Sequence, residues 1–204
     1  RGLGDVYKRQ KKRCVMAQFT KKAIIDAFIE LIGERPFDKI TVKDIVTRCG
    51  VNRNTFYYYF EDIYALVDEL FKIETQNILG DTSGFDSWQD AVLKAVDFVR
   101  QNRLGICHMY KSISRERIED YLDEVTYNNI LNFIKKEAEG INADESDIEL
   151  MARFYAHALV GMVLEWLSSG MKGDMSGAVE RLGVLLDGNI SLTLSNSEKS
   201  MQTK

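Results

Sequence analysis

Proline is almost missing from this sequence, with Pro36 alone in 204 residues. Proline is excluded from helix interiors, so its scarcity leaves nearly the whole chain open to helix formation. Strand signals are also lacking. No stretch alternates apolar and polar residues between turn clusters, whereas apolar residues recur at helical spacing from Lys21 to about Leu194. The expected fold class is all-α, with about nine helices. Cysteine is scarce as well. Cys14, Cys49 and Cys107 are odd in number and show no CxxC spacing, which argues against a disulfide framework or a structural zinc site. With two histidines, no His-Glu-x-x-His, no glycine-rich phosphate loop and no GxSxG elbow, the chain offers no catalytic, metal or cofactor site. An enzyme is not expected. No apolar run approaches the roughly 20 residues of a membrane-spanning helix, and the start does not read as a signal peptide, so a cytoplasmic location is expected.

The net charge of −4 conceals an asymmetry. Residues 1–62 carry 13 Lys/Arg against 8 Asp/Glu, which leaves −9 on residues 63–204. A basic head on an acidic body is a pattern of nucleic-acid binders. Much of the excess sits in residues 1–15, however, and RGLGDVYKRQ has neither periodicity nor a cap. This opening is read as a disordered or non-native tail, with Met16 as a plausible natural start. The other reading is a basic arm whose Lys8, Arg9, Lys11, Lys12 and Arg13 touch phosphates without sequence preference.

After Thr20, a good N-cap, Ile24, Phe28, Leu31 and Ile32 share one helix face, and Pro36 ends that helix. Thr41 caps a short helix to Cys49 with Val42, Ile45, Val46 and Cys49 on its apolar stripe. Gly50 closes it and Asn52 caps a third helix, Arg53–Phe60. Two short helices joined by so tight a glycine-containing link form a helix-turn-helix. Its second helix must keep apolar residues on one face, here with Val51, Phe56 and Phe60, and present polar ones to the major groove. A helix over about Asp62–Ile78 follows, broken by Gly80–Gly84. Further helices are expected at about Asp86–Gln101, Gly105–Ser112, Arg115–Glu139, Glu145–Ser169 and Asp174–Leu194, with a disordered tail at 195–204. This divides the chain into a DNA-binding domain, 16–62, and a ligand-binding and dimerisation domain, 63–194.

The helix from Glu145 is apolar around nearly its whole circumference, which requires burial on every side. In a two-layer body that points to a second chain. Phe154, Ala158, Gly161, Met162 and Trp166 on this helix, with Leu182, Leu185 and Leu186 on the last, are the candidate homodimer contacts.

The segment FDKITVKDIVTRCGVNRNTFYYYFEDIYAL, residues 37–66, resembles the DNA-binding signature of the TetR family. The run FYAHALVGMVLEWLSSGMK, residues 154–172, is similar to the subgroup of dihydroxyacetone-kinase operon regulators. The resemblance implies a dimeric transcriptional regulator, commonly a repressor, that binds a palindromic operator in double-stranded DNA and responds to a small-molecule effector. It also implies DNA contacts from Thr41, Lys43, Arg53, Asn54, Thr55, Tyr57, Tyr58 and Tyr59. Arg53 and Asn54 suit base edges, and Thr55, Tyr57 and Tyr58 suit phosphate oxygens. An effector pocket in the body would draw on Trp88, His108, Tyr110, Tyr127, Tyr155 and His157. One position departs from the family. Ile63, preceded by Glu61 and Asp62, stands where a lysine often clamps the DNA backbone, and this departure motivates an alternative, a coactivator that works through a protein partner.

Overall fold

The computed structural model describes the backbone of residues 3–79 and 87–202, and the side chains of 17–77 and 87–202. Among the described residues there are ten α-helices and no strand. They are α1 (Leu3–Glu34), α2 (Val42–Cys49), α3 (Arg53–Tyr59), α4 (Ile63–Leu79), α5 (Trp88–Gln101), α6 (Arg103–Ser112), α7 (Arg115–Glu137), α8 (Glu145–Ser168), α9 (Met175–Leu185) and α10 (Asn189–Gln202). A single 3-10 turn, Phe37–Lys39, links α1 to α2. The expected break at Gly80–Gly84 lies outside the described residues.

Three expectations about element ends need correcting. The first helix does not begin at Thr20: α1 is continuous from Leu3, so the backbone of residues 3–15 is helical. No proline interrupts this stretch, and extending a helix that is already nucleated costs little. The expected Asp174–Leu194 helix is two, because Gly188 takes φ 70° between α9 and α10. The chain from 195 is not disordered through 202 but belongs to α10. Its Ser197 is 6% exposed and holds two partners, accepting from the Asp144 N–H at 3.0 Å and donating to Asp147 Oδ2 at 2.5 Å. These two bonds tie α10 to the N-terminus of α8.

The helices form two compact units. The first comprises Arg1–Glu74 with Leu104–Ser112, and the second Thr75–Arg103 with Ile113–Lys204. In the first, Ile24, Phe28, Leu31 and Ile32 of α1 are 0–3% exposed, as their spacing predicts, and share the core with Ile45, Phe56, Phe60, Leu66 and Val67. Each buried side chain of this size contributes about 1.5–3 kcal/mol. In the second unit, α7 packs along α8, and α10 adds Leu194 to a core of Ile130, Ile134, Ile148, Met151, Ala152 and Leu159. α8 is long and apolar enough to cross a membrane, but Ala152, Ala156, Leu159, Val160 and Leu164 are buried against the chain's own helices.

Candidate nucleic-acid interface

The first unit sets α2 and α3 by caps at both ends of their link. Thr41 forms a complete capping box: its Oγ1 accepts from the Asp44 N–H at 3.2 Å, while Asp44 Oδ2 accepts from the Thr41 N–H at 2.9 Å. The hydroxyl also donates to Asp44 Oδ2 at 2.6 Å. These bonds, the one from the hydroxyl foremost, hold the Asp44 carboxyl below the ordinary aspartate range. Thr41 is thus committed to its own helix. The signal for this was in the sequence as Thr41-x-x-Asp44, a capping-box spacing. Gly50 ends α2 at φ 71°, a left-handed conformation that glycine adopts without strain. Asn52 then starts α3, accepting from the Thr55 N–H at 2.8 Å and the Thr55 hydroxyl at 3.0 Å.

α3 is locked from below. Phe56 is fully buried and Phe60, its C-cap, is 3% exposed, with their rings 5.7 Å apart. On the outer side Arg53, Asn54, Tyr57 and Tyr58 are exposed, Tyr57 at 45% and Tyr58 at 79%. Tyr59 is half-buried, its ring 4.9 Å from that of Tyr58. Of the eight residues expected to touch DNA, Thr41, Lys43, Arg53, Asn54, Tyr57 and Tyr58 thus lie exposed on one reading head, Thr41 with its hydroxyl engaged by Asp44. Thr55 and Tyr59 are partly withdrawn into it.

Among the described residues of the head, most of the positive charge is paired. Arg48 forks onto Glu34, Nη1–Oε1 2.8 Å and Nη2–Oε2 2.9 Å, and also reaches Glu30 at 3.0 Å, which pins α2 to α1. Arg35 lies 3.3 Å from Asp44, and Lys21 pairs with Glu69 at 2.6 Å. Asp62 is the α4 N-cap, accepting from the Ala65 N–H at 2.8 Å, and Glu61 beside it is exposed.

Outside the head, the six effector candidates divide. Trp88, Tyr127 and Tyr155 pack against one core cluster of the second unit. Burial raises the Tyr155 phenol above its ordinary value, and Arg153 lies 5.5 Å over the Tyr127 ring. His108 and Tyr110 belong to the first unit, where His108 Nδ1 is 2.6 Å from the Ile32 carbonyl oxygen. His157 is not enclosed. Its side chain is 69% exposed and its Nδ1 is 3.2 Å from Asp123 Oδ1, because the α8 face that carries it is not covered by the rest of the chain. Among the dimer candidates, Phe154 (69% exposed), Leu185 (58%), Ala158 and Gly161 are open, whereas Met162, Leu182 and Leu186 are half-buried. Trp166 is a correction: at 6% exposed it belongs to its own chain's core, with Arg100 5.9 Å over its ring.

A capped helix, a left-handed glycine and an aromatic-locked second helix with an outward polar face define a helix-turn-helix regulator head. The family described as bacterial regulatory proteins, tetR family, matches residues 24–70, and a transcriptional regulator C-terminal region matches residues 86–188. The chain belongs to the TetR family. It is similar to the dhaKLM operon transcriptional activator DhaS of Lactococcus lactis, with 28% identity over 85 residues, 42% of this chain and 46% of that protein. The class D tetracycline repressor of Escherichia coli is 31% identical over 55 residues, 27% of this chain and 25% of that protein. These matches span less than half the length of the curated relatives. Among solved structures, a dihydroxyacetone kinase operon activator DhaS superposes with TM-score 0.68 at 20% identity, covering 85% of this chain and 97% of that one. A regulator from Streptococcus agalactiae gives 0.57 at 20% identity, covering 93% and 99%. At these identities the likeness speaks for the fold.

Proposed function

We propose that this protein is a cytoplasmic transcriptional regulator that binds a palindromic operator in double-stranded DNA as a homodimer and answers to a small-molecule effector. The observation that carries the reading is α3: Arg53, Asn54 and Tyr58 stand out from a helix whose other face is anchored by Phe56 and Phe60. That is the arrangement a major groove about 12 Å wide admits. Arg53 and Asn54 are assigned to base edges, and Lys43 and Tyr58 to phosphates, with Thr55 and Tyr59 supporting the head from within and Thr41 capping α2 at its surface.

The homodimer rests on the second unit. Leu150 and Phe154 on α8, Val184 and Leu185 on α9 and Leu192 on α10 are 58–69% exposed, an apolar surface that a monomer would leave in water. Along α8 the same face continues through Ala158 and Gly161, where small residues let a second helix approach closely. For the effector, Trp88, Tyr127 and Tyr155 are the retained contacts, since they share one core cluster of the second unit.

Selection of bound sequences from random duplex DNA tests this function. The expected product is an inverted repeat whose affinity falls steeply with salt, as phosphate neutralisation requires. Recovery of no sequence at low salt would overturn operator binding, and recovery of a lone half-site would overturn the dimer.

A further inference from the structure

Tyr57 was expected to donate its hydroxyl to a phosphate, but the structure gives that hydroxyl a different partner. Arg53 Nη2 donates to Tyr57 Oη at 3.1 Å, and the guanidinium carbon lies 5.5 Å from the centre of the same ring. The two residues are four apart, on one face of α3. The ring is itself fixed from the core side: Phe56, fully buried, meets it edge to face at 5.5 Å and 89°. A chain of contacts therefore runs from the core through Phe56 and Tyr57 to an exposed arginine.

We propose that Tyr57 is a positioning residue that holds Arg53 in the geometry for reading a base. It rests on the operator-binding reading above. A free arginine side chain samples many rotamers and must give them up on binding. Here the hydroxyl and the ring fix it beforehand, one by a directed bond and the other by cation–π attraction. The pairing does not disarm the arginine. Nη2 carries two hydrogens, one on each edge of the guanidinium, so a bond through one of them leaves the other edge complete. That edge can pair bidentately with O6 and N7 of guanine. The Tyr57 hydroxyl accepts from Arg53 and keeps its own proton. Fixing Arg53 in this way raises discrimination at one base pair per half-site, whereas a phosphate contact from Tyr57 would raise affinity for all sequences alike.

The test uses the full-length protein and duplexes carrying the repeat it selects, with each position varied singly. Arg53→Ala should flatten preference at one position of each half-site. Tyr57→Phe, which keeps the ring and its contact with Phe56, should flatten the same position by roughly two- to twelvefold, the worth of one pre-ordered side chain. Affinity for unrelated duplex should change little. In the double variant Tyr57→Phe should add nothing to Arg53→Ala, because it acts through the arginine. A purely structural role for Tyr57 would move the melting temperature and all sequences together. If Tyr57→Phe weakens every duplex equally and leaves the base profile intact, or if the two effects add, the positioning role is overturned while operator binding stands. If the wild-type protein selects no sequence, both fall.

Discussion

At the scale of single residues, Glu61 and Asp62 separate into two roles that their adjacency conceals. Asp62 is engaged as the α4 N-cap through the Ala65 N–H. Glu61 is an exposed carboxylate next to the recognition helix, where the DNA backbone passes in the proposed complex. Glu61→Lys is expected to tighten binding to all duplexes and to steepen the salt dependence by roughly one unit per head, measured by titration at several salt concentrations. Asp62→Ala should leave the salt slope alone and lower stability by about 0.5–2 kcal/mol in a denaturant melt, the usual worth of a cap.

At the scale of elements, α2 depends on its two ends. Gly50 has open space where a Cβ would sit, so Gly50→Ala tests backbone conformation alone. The expected loss is about 1–2 kcal/mol, the cost of a left-handed alanine, read from chemical denaturation. At the other end, the Asp44 carboxyl is depressed first by the Thr41 hydroxyl and then by the Thr41 N–H. A depressed carboxyl contributes stability that is full above its unfolded value, near 3.8, and lost as pH falls through the lower folded value. Stability should therefore decline as pH drops from about 5 toward 2. Thr41→Val should be less stable at neutral pH and show a shallower decline, because Asp44 moves back toward its ordinary value. Equal slopes for the two proteins in melts across that range would refute the coupling.

At the scale of the whole molecule, α8 has two faces with opposite tasks. Trp166, buried in its own chain, holds the second unit together, whereas Phe154 lies on the open side. Phe154→Arg is expected to leave the helical content unchanged and shift sedimentation equilibrium from dimer to monomer, with operator affinity falling as the half-sites uncouple. Trp166→Ala should instead cost about 3–5 kcal/mol of folding stability. A dimer unaffected by Phe154→Arg would place the interface elsewhere.

Composition and periodicity were enough to read an all-helical chain, the α1 stripe from Ile24 to Ile32, and the helix-turn-helix. Those features follow from local rules: helical spacing of apolar residues, caps at Thr41 and Asn52, and a glycine that must turn left-handed. Where competing local signals met, the reading slipped. A good capping residue at Thr20 does not start a helix when nothing stops the helix already running, and Gly188 breaks what the apolar spacing joins. Only the tertiary structure decided what depends on distant neighbours. It alone showed that Arg48 is spent on Glu34 and Glu30, that Trp166 faces inward while Phe154 faces out, and that His157 meets Asp123 across 34 positions of sequence. Pairings of this kind are set by how helices stack, and one-dimensional spacing carries no record of it.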